Sequence, residues 1–172
     1  ACAGALMDVC VAVGIEFALA QLEAGADTIG IGDALASQVS PATYAALIAP
    51  REKLLIDAIH KAGGLVRLHI CGNITHLLPY IADLGADIVD LDWAVSMAEA
   101  RRILGPNTVL TGNLDPVNAV MKSTPDKIIN ALAQIYAEVG NPYMVGAGCE
   151  VPEGTPHENL KALCAPLAWV EI

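Results

Sequence analysis

The stretch Gly63-Gly64-Leu65-Val66-Arg67-Leu68-His69-Ile70-Cys71-Gly72 decides the fold. The two glycines stop a helical pattern that opens at Ser40-Pro41, an N-cap followed by Pro at the first helical position, and runs to Ala62. Leu65 to Ile70 then reads as a short apolar strand. A second helical pattern follows from Thr75 to Leu84 and closes on Gly85. Short apolar strands alternating with helices imply parallel strands buried on both faces.

The same unit recurs on either side. Upstream, a helical pattern from Leu6 to Ala24 ends at Gly25, and Ala26 to Ile31 is a strand that runs into Gly32-Asp33. Downstream, Asp87 to Leu91 is a strand and Ser96 to Leu104 a helix, with Ser96 and Glu99 spaced as a capping box. Thr108 to Thr111 is a strand, followed by a helical turn after Pro116 and a helix from Thr124-Pro125 to Val139. Tyr143 to Gly146 is the last strand, and Thr155-Pro156-His157-Glu158 opens the last helix with another capping box.

Five strand–helix units suit a doubly wound sheet or an arc of a (β/α)8 barrel. The ends of the strands favour the barrel. Each delivers a polar or reactive residue: Asp33, then His69 and Cys71, then Asp92, then Asn113, then Cys149. Barrel sites draw on several successive strands, whereas a doubly wound sheet gathers its site at one switch point. Gly30-Ile31-Gly32-Asp33 lacks the third glycine of a dinucleotide fingerprint. The expected fold class is α/β of TIM-barrel type, as a partial barrel of about five βα units in a single domain over 1–172.

Composition narrows the function. Hydrophobic residues make up 55% of the 172 and charged residues 16%, which excludes disorder. The net charge of −10 and the scattered nine basic residues leave no stripe for phosphate, so no nucleic-acid partner is expected. The longest apolar stretch, Val9 to Leu22, is broken by Glu16 and flanked by Asp8 and Glu23, so no membrane span is expected. The chain opens without Met and in mid-helix, as a processed product or a fragment would, and no secretory signal opens it. Five cysteines, an odd number, then point to reduced thiols and a cytoplasmic location.

His69 and Cys71 are two apart on a strand and share a face at its mouth. Imidazole and thiolate are preferred zinc ligands, and a barrel brings Cys149 to the same rim. One zinc per chain on His69, Cys71 and Cys149 is therefore expected, against the alternative of two small buried thiols and a hydrogen-bonded core histidine. Asp90 and Asp92 also share a face. Asp92, nearer the strand end, is either a fourth ligand or, like Asp90, a carboxylate paired with a basic residue or a loop amide. Asp33 and Asn113 rim the same mouth, in contact with substrate or in turn chemistry. Cys2, Cys10 and Cys164 fall in helical stretches as core or interface packing, and Arg101-Arg102 reads as a solvated helix face.

These stretches resemble a known family. Asp27 to Asp33, Leu68 to Asn73, Asp90-Leu91-Asp92-Trp93, Thr111 to Pro116 and Gly148-Cys149-Glu150-Val151-Pro152 are similar, in order, to the C-terminal part of the uroporphyrinogen decarboxylase family. The His-x-Cys pair and the later Gly-Cys resemble its zinc-dependent methylcobamide:coenzyme M methyltransferase branch. Asp92-Trp93 and Gly112 to Pro116 are more like the decarboxylases, whose Gly-His-Gly near the last strand is replaced by Gly146-Ala147-Gly148-Cys149.

The resemblance implies zinc on His69, Cys71 and Cys149, with Asp92 completing the site. It also implies methyl transfer from a corrinoid (methylcobamide) on a partner protein to a thiol such as coenzyme M, or to another acceptor such as tetrahydrofolate. Asp33 and Asn113 would position substrate. The alternatives are a metal-free decarboxylase-like enzyme and a non-catalytic zinc-binding part of a barrel. A five-unit arc leaves two strand edges open, so a homo-oligomer formed through them is expected.

Overall fold

A computed structural model describes residues 2–164. Its elements in order are α1 (Cys2–Glu23), β1 (Thr28–Asp33), α2 (Pro41–Thr43), α3 (Ala49–Lys61), β2 (Leu65–Ile70), α4 (Leu78–Leu84) and β3 (Ile88–Leu91). Then come α5 (Met97–Leu104), β4 (Val109–Leu114), α6 (Pro125–Val139), β5 (Tyr143–Ala147) and α7 (His157–Leu163). The five strands are all parallel and lie in chain order, β1-β2-β3-β4-β5. Order without reversal is that of a barrel arc, and a doubly wound sheet would start in the middle and turn back.

Strand alternation divides the side chains between two faces. Val66, Leu68 and Ile70 of β2, Val89 and Leu91 of β3 and Leu110 of β4 are buried against the helices. They pack with Ile56 and Ile59 of α3, Leu78 and Ile81 of α4, and Ala100 of α5. A smaller cluster lies beyond β4, around Leu114, Val120, Ile128, Leu132 and Leu163. The intervening residues Arg67, His69, Asp90 and Thr111 face the inside of the arc. The core thus holds the sheet from outside and leaves its inner face for polar groups.

Several sequence expectations are corrected. The helix read as continuous from Ser40 to Ala62 is interrupted by a π turn at Tyr44–Ile48. Pro50 lies in the first turn of α3, and its ring nitrogen has no hydrogen to give to an upstream carbonyl, so the ladder widens before it. Ser40 does cap as expected, accepting the Thr43 amide. Ser96 accepts the Glu99 amide, but the Glu99 carboxylate faces Arg102, so only half of that capping box forms. Thr155 does not cap α7: its hydroxyl donates to the Pro152 carbonyl. β4 runs three residues further than expected, to Leu114, which carries Asn113 within the strand.

By length and composition alone α1 could cross a membrane, with a mean hydropathy of 1.8 over Ala3–Glu23. In this fold it packs along α3, where Gly14 meets Leu55 and Asp8 pairs with Arg51 at 2.6 Å. Leu6, Val9, Val13 and Phe17 remain exposed along its other side.

Arg101 is not a solvated face. Its guanidinium donates to the carbonyls of Val139, Gly105, Thr108 and Pro142 at 2.7–3.1 Å, tying α5 to the turns around β4 and β5. Five fixed donors suit this task, and Lys could not reproduce it. Arg101→Met is therefore expected to lower unfolding stability by roughly 3 kcal/mol, since partly buried carbonyls lose charged donors. The urea unfolding midpoint checks this, and an unchanged midpoint would contradict it.

Glu52 of α3 is buried, and Tyr44 donates its hydroxyl to Oε2 while Oε1 has no partner among the described residues. Burial pushes its carboxyl up to about 7. The folded protein then holds a proton that the unfolded chain releases at lower pH. Stability is expected to fall as pH rises from about 4.5 to about 7, with Glu52→Gln removing that slope. Urea titrations of both proteins at pH 5 and 8 provide the check.

Candidate metal centre

The inward positions at the C-terminal ends of β2, β3 and β5 converge on one point. His69 and Asp90 are register partners on β2 and β3, side by side on the inner face. Cys71 follows β2, and Cys149 lies just beyond β5. Gly148 explains how Cys149 reaches its partners from three strands away. A side chain built on Gly148 would stand 2.4 Å from the Trp93 nitrogen, so only glycine lets this segment press against the end of β3. Its amide donates to the Leu114 carbonyl at 2.8 Å, which fixes the bend.

Cys71 Sγ lies 3.3 Å from His69 Nε2 and 3.9 Å from Cys149 Sγ. The three ligand atoms all fall within 4.8 Å of one another. In a tetrahedral zinc site, bonds of about 2.3 Å to sulfur and 2.0–2.1 Å to nitrogen place neighbouring ligand atoms roughly 3.5–3.8 Å apart. The donor set and its spacing both fit zinc.

The histidine ring is held in a fixed orientation. Its Nδ1 lies 3.1 Å from the Asp90 carbonyl and 3.3 Å from Asp90 Oδ2, which leaves Nε2 facing the two sulfurs. The bond to Asp90, reinforced by the nearby Cys149 and Cys71, holds the imidazole's proton and pushes the ring up to about 10 despite its partial burial. Asp90 is itself buried and takes a second donor, the guanidinium of Arg67. Arg67 is half exposed, and with His69, Cys149 and Glu150 it lines an open cleft of about 330 Å³ on the inside of the arc.

The remaining candidates stand apart from the trio. Asp92 is not among the three residues that gather their ligand atoms. Its Oδ2 accepts the Gly72 amide at 2.6 Å, and its buried Oδ1 has no partner among the described residues. That bond holds Gly72, with φ at +86°, in the left-handed turn immediately after Cys71. Asn113 donates both amide hydrogens to backbone, to Val95 O at 2.7 Å and Asp92 O at 3.2 Å. Asp33 Oδ1 accepts the amides of Leu35 and Ala36 at 2.9 Å and starts the short 3₁₀ turn there. Both residues brace the rim.

Cys10 and Cys164 are exposed, which removes the core half of the core-or-interface expectation, and the side chain of Cys2 lies outside the described residues. Arg67 was not expected at the site. Its signal is the inward alternation Arg67, His69, Cys71: a charge on a strand otherwise buried must face the open side.

The family description "Uroporphyrinogen decarboxylase (URO-D)" matches residues 2–167. A uroporphyrinogen decarboxylase of Nocardia farcinica is 36% identical over 142 residues, covering 83% of this chain and 39% of the relative. The methylcobamide:CoM methyltransferase MtbA of Methanosarcina mazei is 33% identical over 162 residues, covering 92% and 47%. A solved methyltransferase from Methanosarcina mazei superposes with a TM-score of 0.82 at 28% identity, over 91% of this chain and 46% of that one. The chain thus spans less than half the length of each of these proteins.

Proposed function

The chain belongs to the uroporphyrinogen decarboxylase family, whose members are enzymes, and from that premise we propose that it carries the metal centre of a zinc-dependent methyltransferase. The methyl group passes from a methylated corrinoid on a partner protein to a small thiol such as coenzyme M. The observation that supports this reading is the meeting of His69 Nε2, Cys71 Sγ and Cys149 Sγ within 4.8 Å. A zinc ion there would supply the Lewis acidity that keeps an incoming thiol deprotonated near neutral pH.

The chain's own groups prepare that step. Asp90 holds the proton on His69 Nδ1, so Nε2 is the nitrogen that would bind a metal, once the ion displaced the proton that the nearby sulfurs and Asp90 favour there. Asp92 keeps the turn after Cys71 closed, and its buried Oδ1, without a partner among the described residues, would be free to serve as an auxiliary ligand. Asp33 and Asn113 act at one remove, by bracing the rim against which substrate packs. Such chemistry needs reduced thiols and therefore a reducing compartment such as the cytoplasm.

A second reading, uroporphyrinogen decarboxylation without metal, is favoured by the Nocardia farcinica relative, 36% identical to this chain. A third, a zinc-binding part with no turnover of its own, is favoured by the share of the relatives that the chain spans. Methyl transfer from methylcobalamin to a panel of thiols separates the three. The proposal predicts thiol methylation that stops with a chelator and returns with zinc. Uroporphyrinogen turnover that persists in chelator, without thiol methylation, would overturn it. Zinc binding without either activity, in this chain and in a protein of the relatives' length, would leave the third reading.

A further inference from the structure

We propose that Cys71 and Cys149 are a redox modification site, a vicinal thiol pair that peroxides convert to a reversible disulfide. The two sulfurs stand 3.9 Å apart although 78 positions separate the residues in the chain. A disulfide needs about 2.05 Å, so closure requires a movement of about 2 Å. The turns at Gly72 and Gly148 are held by their amides, so the approach falls to rotation of the two side chains about their own Cα–Cβ bonds. Both are only partly buried, and Cys149 lines the open cleft. An oxidant of peroxide size therefore has a path to the pair.

The chemistry balances with hydrogen peroxide as the two-electron oxidant. One thiolate attacks a peroxide oxygen, the O–O bond breaks, and a sulfenic acid and water result. The second thiolate then attacks the sulfenic sulfur, forming the S–S bond and releasing the hydroxyl as a second water. Two thiol protons and two electrons leave the protein, and one peroxide becomes two waters. With its partner this close, the sulfenic acid is captured before further oxidation. Cys10 and Cys164 are exposed, without a thiol partner among the described residues.

The disulfide rests on the geometry alone, and only its effect on metal rests on the zinc reading. A disulfide sulfur is no thiolate, so oxidation would remove two of the three donors and release the ion. The converse also holds: bound metal occupies the thiolate lone pairs and slows the oxidation.

Metal-free protein treated with stoichiometric hydrogen peroxide, then alkylated and peptide-mapped by mass spectrometry, tests the pairing. The expected result is a Cys71–Cys149 cross-linked peptide, two mass units lighter than the reduced pair. It is absent from Cys71→Ser and reversed by dithiothreitol. Zinc-loaded protein is expected to oxidise at least tenfold more slowly and to release its zinc to a chromogenic chelator in step with the cross-link. Sulfinic acid on Cys71 or Cys149 in place of the cross-link would overturn the proposal. So would thiols that both stay reduced while Cys10 oxidises. A cross-link in a protein that never binds zinc would support the pairing and sink the zinc reading, so the two fail separately.

Discussion

Cys149→Ala is expected to bring zinc content from about one ion per chain to near none, and Cys71→Ala to do the same. Structural zinc sites bind with about 10–16 kcal/mol shared over four ligands, so losing one thiolate weakens binding by roughly 10²–10³-fold. Cys149 is the more informative substitution. It approaches from β5 across β4 and β3, and its position depends on the contact of Gly148 with Trp93. A Cys149→Ala protein whose thermal unfolding matches wild type but which elutes without metal would tie the loss to ligation. Elemental analysis after gel filtration in zinc-replete buffer is the measurement. Full zinc retention by both variants would remove the trio from consideration.

Asp90→Ala is expected to weaken zinc binding by about 10- to 100-fold while leaving stoichiometry near one at high zinc, the usual consequence of losing the partner of a ligand histidine. The effect falls toward the lower end because the Asp90 backbone carbonyl, 3.1 Å from Nδ1, survives the substitution. It stays measurable because the carboxylate contact at 3.3 Å, which favours a positively polarised imidazole, is lost. Arg67→Met provides the control. It removes the other partner of Asp90 without touching His69 and is expected to change zinc affinity by less than the loss of Asp90. Competition titration against a fluorescent zinc chelator resolves both. An Asp90→Ala protein with wild-type affinity would show that His69 needs no carboxylate to be held.

The fold was legible in the sequence because its signals are local. Gly25, Gly63-Gly64 and Gly85 end helices where expected, and the strands fall between them as short apolar runs. The deviations have local causes that propensity alone did not weigh: Pro50 forces the π turn, and Thr155 finds the Pro152 carbonyl before it can cap α7. Arg101 looked like a surface charge because helix periodicity says nothing of carbonyls arriving from Val139 and Pro142.

The site was legible only in part. His69 and Cys71 share a face by strand alternation, which sequence spacing reveals directly. Cys149 joins them through the parallel order of β2 to β5 and the close approach at Gly148, both long-range facts. Of Asp90 and Asp92, two residues apart on one face, proximity to the strand end singles out Asp92 as the candidate ligand. Register separates them: Asp90 lies beside His69, whereas Asp92, past the end of β3, takes the Gly72 amide. Arg67 shares the alternation of His69 and Cys71, and its place on the inner face follows once the helices are seen to cover the other side of the sheet.

The central claim is that two thiolates and one imidazole of this chain hold a zinc ion with room for a further ligand. X-ray absorption at the zinc edge of the zinc-loaded protein tests it most directly. The account predicts two sulfurs at about 2.3 Å and one imidazole nitrogen at about 2.0–2.1 Å, with the rest of the shell made of light atoms. Adding a small thiol should raise the sulfur count to three. A shell of oxygen and nitrogen alone, or a sulfur count that Cys149→Ala leaves unchanged, would contradict it.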